Sequence, residues 1–183
     1  KTKKTKLHFL GLFSDGNVHS HISHLKAMII KAAEAGVIEI CIHILLDGRD
    51  VGETSALEYV EPFEMFLKET NSKYKVNCRI VSGGGRMKVT MDRYEADWNM
   101  VKIGWETHIR GIGRKFQSSK EAIETYRKEI VGVIDQDLPA FVIADKTGKP
   151  LGTVDNGDSF IFFNFRGDRA IEISKTFEMD EFD

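Results

Sequence analysis

Residues 38–50 read Ile-Glu-Ile-Cys-Ile-His-Ile-Leu-Leu-Asp-Gly-Arg-Asp. From 38 to 46 the apolar residues fall on odd and even positions alike. A strand of that kind is covered on both faces, as in a parallel sheet flanked by helices. The run then stops at Asp47-Gly48-Arg49-Asp50, a polar stretch with turn chemistry. One segment thus predicts a central strand and a charged loop at its carboxyl end.

The neighbouring sequence repeats this grammar. Residues 7–13 (LHFLGLF) read as a buried strand that ends in Ser14-Asp15-Gly16. Over residues 18–35, Ile22, Leu25, Met28, Ile29, Ala32 and Ala33 recur at helical spacing, with Gly36 as the stop. Residues 54–70 carry a second helical stripe (Leu57, Tyr59, Val60, Phe63, Phe66, Leu67), with Pro62 as the place for a kink. Residues 75–82 read as the third strand. Residues 92–105 are helical by pattern, with Trp98, Val101 and Trp105 on the buried face. Residues 119–129 form another helix, with Ser118-Ser119-Lys120-Glu121 as its cap. Residues 141–144 and 151–154 flank a turn and read as a hairpin. Residues 159–165 (SFIFFNF) are the last strand and 168–177 the last helix. Alternating strands and helices predict an α/β fold. It is a three-layer α/β/α sandwich in a single domain over residues 1–183, with a mostly parallel sheet that the hairpin makes mixed.

Composition narrows the function classes. Lysine and arginine total 26 against 28 aspartate and glutamate, a net charge of -2. No basic excess marks a nucleic-acid binder, and no apolar run approaches the ~18 residues that span a bilayer. Cys41 and Cys78 lie in apolar strand-like runs and read as buried free thiols, which predicts a cytoplasmic protein. The basic opening KTKKTK leads into a strand and not a signal-peptide core. The chain has no initiating methionine and reads as a piece of a larger enzyme.

Four polar segments directly follow strand-like runs: residues 14–21 (SDGNVHSH), 47–50 (DGRD), 83–86 (GGGR) and 166–169 (RGDR). In parallel α/β sheets such loops gather at one edge, where ligands bind. Arg49, Arg86, Arg93, Arg166 and Arg169 supply cations there, His19 adds a donor or acceptor, and Asp15, Asp47, Asp50, Asp92 and Asp168 balance them. Guanidinium forks match phosphate and carboxylate oxygens. Glycines let backbone amides approach an anion. The ligand this predicts is small and multiply anionic. Each segment alone has a plainer reading: Asp-Gly turns, an Arg49–Asp50 ion pair, a solvated helix start at Arg166 and Arg169. Their concurrence favours a site. Gly83-Gly84-Gly85 lacks the lysine ending of a P-loop. His19, His21 and His24 do not have the spacing of a helical zinc pair. His21 and His24 read as surface or packing residues and His8 and His43 as structural ones. Ser14 and Ser20 have no general base placed by sequence.

The segments SDGNVHSH, LLDGRDV, SGGGRMKVTMDRYEADW and FFNFRGDRA, in that order, resemble the signature segments of the cofactor-independent phosphoglycerate mutases. The resemblance covers nearly the whole chain. It implies a two-domain enzyme that interconverts 2-phosphoglycerate and 3-phosphoglycerate in glycolysis and gluconeogenesis through a phosphoserine, with no requirement for 2,3-bisphosphoglycerate. It implies that the serine and two manganese ions belong to a partner domain missing from this chain, and that no metal is held here. It assigns substrate contacts to His19, Arg49, Asp50, Arg86, Arg93, Arg166 and Arg169. Two departures stand out: Asn17 replaces a glycine common in the family, and the loop joining Arg86 to Arg93 is longer than the short family form.

On this reading Asp50 serves as acid/base for the glycerate hydroxyls, oriented by Arg49 and His19, and the remaining arginines clasp the carboxylate and phosphate. Hinges at the two ends would let the domains close. The rivals are a non-enzymatic binding module for small phosphorylated acids and a self-sufficient phosphatase with Asp15 or Asp47 as nucleophile. The latter lacks an Asp-x-Asp pair after a strand.

Overall fold

The computed structural model describes residues 5–179. The stretches 1–4 and 180–183, where hinges are expected, lie outside the described residues. Six strands, β1 (Lys6–Leu12), β2 (Glu39–Leu46), β3 (Asn77–Gly85), β4 (Arg114–Phe116), β5 (Phe141–Ile143) and β6 (Ser159–Phe162), form one sheet in the order β4-β5-β3-β2-β1-β6. The pairings β1–β2, β1–β6, β2–β3 and β4–β5 are parallel, and β3–β5 is antiparallel. Among the described residues five α-helices accompany it: α1 (Ile22–Glu34), α2 (Ala56–Tyr74), α3 (Trp98–Gly104), α4 (Ser119–Glu129) and α5 (Ile171–Glu178). A π-helical segment, Trp105–Ile109, continues α3.

Alternation along β1 and β2 sorts the core into two layers. Phe9, Phe13, Ile40, Ile42, Ile44 and Leu46 face α1, α2 and α4, whose Leu25, Ile29, Val60, Phe63, Leu67 and Ile123 complete the larger cluster. Leu10, Leu12 and Leu45 face the other way, onto Val89 and Met91. The mostly parallel sandwich expected from residues 38–46 is the observed one. Gly36, at φ 86°, terminates α1, and Ser118 caps α4 by accepting a bond from the Glu121 N–H. α2 runs through Pro62, which lies on its exposed side, and ends at Lys75 in the left-handed conformation.

The mixing of the sheet has a different origin from the expected hairpin. Residues 145–150 do turn, but only an isolated bridge, Ala144 to Pro150, closes them. After the Leu151 N–H bonds to the Ile143 carbonyl at 3.0 Å the chain leaves β5, and the Val154 N–H bonds instead to the Ile109 carbonyl at 2.9 Å. The antiparallel pairing is β5 against β3, and β4 was not read from sequence at all. The expected helix over 92–105 begins only at Trp98, where Asp97 caps it. Before it, Thr90, Tyr94 and Glu95 hold positive φ and break any helix. α5 begins at Ile171, so Arg166 and Arg169 lie in the preceding loop rather than on a helix.

A β-bulge interrupts β3: Ile42 pairs with Ile80 but His43 with Ser82, leaving Val81 as the extra residue. Ser82 thereby joins a buried polar row on the second face. His108 Nδ1 lies 2.7 Å from Ser82 Oγ, which lies 2.7 Å from His43 Nδ1. His43 Nε2 lies 3.0 Å from His8 Nδ1, and His8 Nε2 lies 3.4 Å from Asp158 Oδ2. Asp158 accepts only, so with neutral rings His8 donates to it, His43 donates to His8, Ser82 to His43 and His108 to Ser82. Burial drives the proton affinity of all three rings down, that of His108 to about 3 and that of His43 well below the ordinary value. His8 and His43 are the satisfied structural histidines that the sequence suggested. Cys41 and Cys78 are buried free thiols; burial lifts Cys41 to about 11 and Cys78 higher, which makes both inert.

Candidate functional site

β1, β2, β3 and β6 run parallel, so the loops beyond their carboxyl ends emerge at one edge of the sheet. Side chains from the four loops meet there. The β2 loop is built around Asp47, which is buried. Its Oδ1 accepts from the backbone N–H groups of Arg49 and Asp50 at 3.2 and 3.0 Å and from Arg86 Nη1 at 2.9 Å. Its Oδ2 accepts from Ser14 Oγ at 2.6 Å. One carboxylate thus ties the β1, β2 and β3 loops together. Arg86 Nη1 also reaches Asp50 Oδ2 at 2.5 Å, and the guanidinium is only 2% exposed. A buried cation so placed holds two carboxylates side by side that would otherwise repel.

The other half of the site forms around the loop after β6. The Arg166 N–H bonds to the His19 carbonyl at 3.2 Å, which docks this loop on the one after β1. Asp168 stands between two guanidinium groups and an imidazole: Arg166 Nε is 3.0 Å from its Oδ1, His19 Nδ1 is 3.6 Å from the same oxygen, and Arg93 Nη1 is 3.7 Å from Oδ2. Arg169 is buried and donates from Nη1 to the Met91 carbonyl at 2.7 Å. Burial lowers its proton affinity, and the charges of Arg93, Arg86 and Arg49 lower it further. These four guanidinium groups therefore lie within one another's fields. His19, buried, is held below the ordinary histidine range by burial and by Arg86 beside it, with Asp168 and Asp50 opposing. It is neutral at pH 7. Arg49 projects to solvent at the rim, and Arg93 lies over the Tyr94 ring.

All seven residues expected at the site (His19, Arg49, Asp50, Arg86, Arg93, Arg166, Arg169) are placed at this edge. The glycines serve a different purpose from the expected one. Gly83-Gly84-Gly85 lie within β3, the Gly85 N–H bonds to the Leu138 carbonyl, and a Cβ on Gly85 would collide with the Gln136 backbone. They permit close packing and offer no free amide cradle. Asp15 and Asp92 are engaged elsewhere: Asp15 accepts from Tyr59 Oη at 2.6 Å, and Asp92 from the Asp97 N–H at 2.8 Å. Burial and that bond push Tyr59 up to about 12. Sequence reasoning saw Asp168 as a balancing charge and Asp47 as a balancing charge or a rival phosphatase nucleophile, and missed their roles as hubs. The signal was present in Asp47, an acceptor two and three residues before loop amides, the spacing of an Asx-turn. Asn17 sits at φ 55°, a left-handed position that asparagine tolerates. Among the described residues no group of three or more His, Cys, Asp or Glu could hold a metal ion, and no helix is long and apolar enough to cross a membrane.

Residues 1–183 match the family described as "BPG-independent PGAM N-terminus" over their whole length. The chain belongs to the 2,3-bisphosphoglycerate-independent phosphoglycerate mutase family. A relative from Leptospira interrogans, named a probable 2,3-bisphosphoglycerate-independent phosphoglycerate mutase, is 59% identical over 183 residues, covering 100% of this chain and 33% of its own length. The Trypanosoma brucei brucei phosphoglycerate mutase of the same name is 45% identical over 177 residues, covering 97% of this chain and 32% of its own. A crystal structure of Leishmania mexicana phosphoglycerate mutase, determined at low cobalt concentration, superimposes with a TM-score of 0.96 at 43% identity, covering 100% of this chain and 33% of that one. The chain thus spans about a third of the length of these phosphoglycerate mutases.

Proposed function

We propose that residues 1–183 form the substrate-binding domain of a phosphoglycerate mutase, which interconverts 2-phosphoglycerate and 3-phosphoglycerate without 2,3-bisphosphoglycerate. The observation that carries this reading is the meeting of His19 and five arginines from four loops at one sheet edge, within one another's fields. Arg86, Arg93, Arg166 and Arg169 clasp the carboxylate and phosphate of the ligand, with Arg49 at the rim. They keep glycerate in place while its phosphoryl group resides on a serine of the remaining two thirds of the protein. Asp50, fixed by Arg86 and by its backbone bond to Asp47, takes a proton from a glycerate hydroxyl and returns it to the other. His19, neutral before the anion arrives, supplies a hydrogen bond. On this reading the two manganese ions and the phosphoserine belong to the remaining two thirds of the protein, and the reaction belongs to cytoplasmic glycolysis and gluconeogenesis.

The test is steady-state kinetics of the full-length enzyme. Arg169→Lys replaces a fork by a point charge and raises KM by about tenfold or more, since each charge-assisted bond contributes about 1.5–3 kcal/mol. Asp50→Asn keeps the shape but removes the base, and lowers kcat by about 10²-fold or more. Near-normal turnover in Asp50→Asn removes Asp50 from proton transfer, and unchanged KM in Arg169→Lys removes the clasp.

A further inference from the structure

Two carboxylates of the site are built in opposite ways. Asp47 is a finished structural element: both its oxygens accept well-formed bonds, from Ser14, from two backbone amides and from Arg86. Asp168 has Arg166, Arg93 and the His19 ring around it and closes a proper hydrogen bond with none of them. Its Oδ1 lies 3.0 Å from Arg166 Nε and 3.6 Å from His19 Nδ1, yet makes no hydrogen bond, and His19 Nδ1 is likewise unpartnered. Its Oδ2 is 3.7 Å from Arg93 Nη1, beyond hydrogen-bonding range. Arg86 Nε, also buried, has no partner. A carboxylate retained for architecture would align with its donors, as Asp47 does. Asp168 supplies charge without geometry, on a loop that is docked by backbone and not by its own side chain.

We infer that Asp168 is the internal counter-anion of the empty site: its carboxylate holds the place that an anionic group of the ligand takes, and it sets ligand affinity by competing for His19, Arg93 and Arg166. The inference rests on the anion-binding reading above and refines it. Without Asp168, the repulsion of Arg169 by Arg93, Arg86 and Arg49 would lose the charge that opposes it. With it, an incoming anion must displace or oppose one negative charge about 4 Å from its own binding groups. The consequence is weaker binding and faster release than the arginine set alone would give.

A displaced counter-anion and a structural carboxylate predict opposite signs. Calorimetric titration of this chain at low salt, with 3-phosphoglycerate, inorganic phosphate and D-glycerate as probes, separates them. Asp168→Asn, which is isosteric, is expected to tighten 3-phosphoglycerate binding by about tenfold, because an opposing charge at this range is removed from a partly screened site. The gain should scale with ligand charge, so D-glycerate gains least, a pattern that a packing role cannot produce. Asp168→Glu pushes the same charge further into the cleft and is expected to weaken binding. Weaker or unchanged phosphate binding in Asp168→Asn overturns the inference, as does loss of its folded circular-dichroism spectrum. If 3-phosphoglycerate binds the unmodified chain no better than inorganic phosphate, the substrate reading above fails. A phosphate gain in Asp168→Asn would still support the counter-anion.

Discussion

His19 illustrates how one side chain reports on its surroundings. It is buried, its Nδ1 has no hydrogen-bond partner, and Arg86 adds to the burial that holds its proton affinity down. An anion bound beside it reverses the balance by favouring the imidazolium. In NMR titrations of the imidazole resonances, the pKa of His19 should lie below 6.5 in the free chain and rise when 3-phosphoglycerate is added. No movement on saturation would place the ligand away from His19.

At the scale of elements, α4 shows a local rule operating as expected. Ser118 Oγ accepts from the Glu121 N–H at 3.1 Å, and Glu121 reaches back to the Gln117 N–H at 2.7 Å. Ser118→Ala should cost about 1 kcal/mol, seen as a lowered urea midpoint with unchanged slope; a loss near zero would mean solvent replaces the cap. Much of the sheet was legible for the same local reasons: strands such as residues 38–46, apolar on both faces, have few alternatives. What was not legible depended on distant partners. β4 is three residues long, with Arg114 and Lys115 exposed, and is a strand only because β5 lies beside it. The supposed second arm of the hairpin was claimed by the π-helical segment through Val154. Gly83-Gly84-Gly85 looked like a ligand loop because composition does not reveal that Gln136 and Phe141 press against their backbone. The site's cations were legible as loop residues after strands. Asp168 was not singled out, because its significance lies in the three groups that converge on it from separate loops.

The whole molecule carries an acid sensitivity in its second layer. The row His108, Ser82, His43, His8 and Asp158 crosses from the π-helical segment through β3, β2 and β1 to the β6 edge. In the unfolded chain these rings take up protons near pH 6.5, whereas in the fold burial keeps them neutral to lower pH. The unfolded state therefore binds more protons below 6.5. Stability is full above that value and falls as pH drops, down to about 3 for His108. Each ring held neutral contributes a slope of about 1.4 kcal/mol per pH unit. Urea unfolding at pH 7.5 and 5.5 should show the loss, and His108→Leu should reduce it by roughly one ring's share. Equal pH dependence in the two proteins would show that His108 is protonated in the fold.

Val81 is the odd residue that makes this row possible. Upstream of it, Ile80 shares a face with Ile42; downstream, Ser82 shares the opposite face with His43. The bulge is a parity change written into the strand, and everything after it inherits the new phase. Drawing that single valine into the regular ladder, opposite His43, would leave the composition intact while moving Ser82 opposite Ile44 and turning residues 82–85 inside out. Ser82 would be thrust among the aliphatic side chains under the helices. The sheet would keep its material but lose its sense of which side is which.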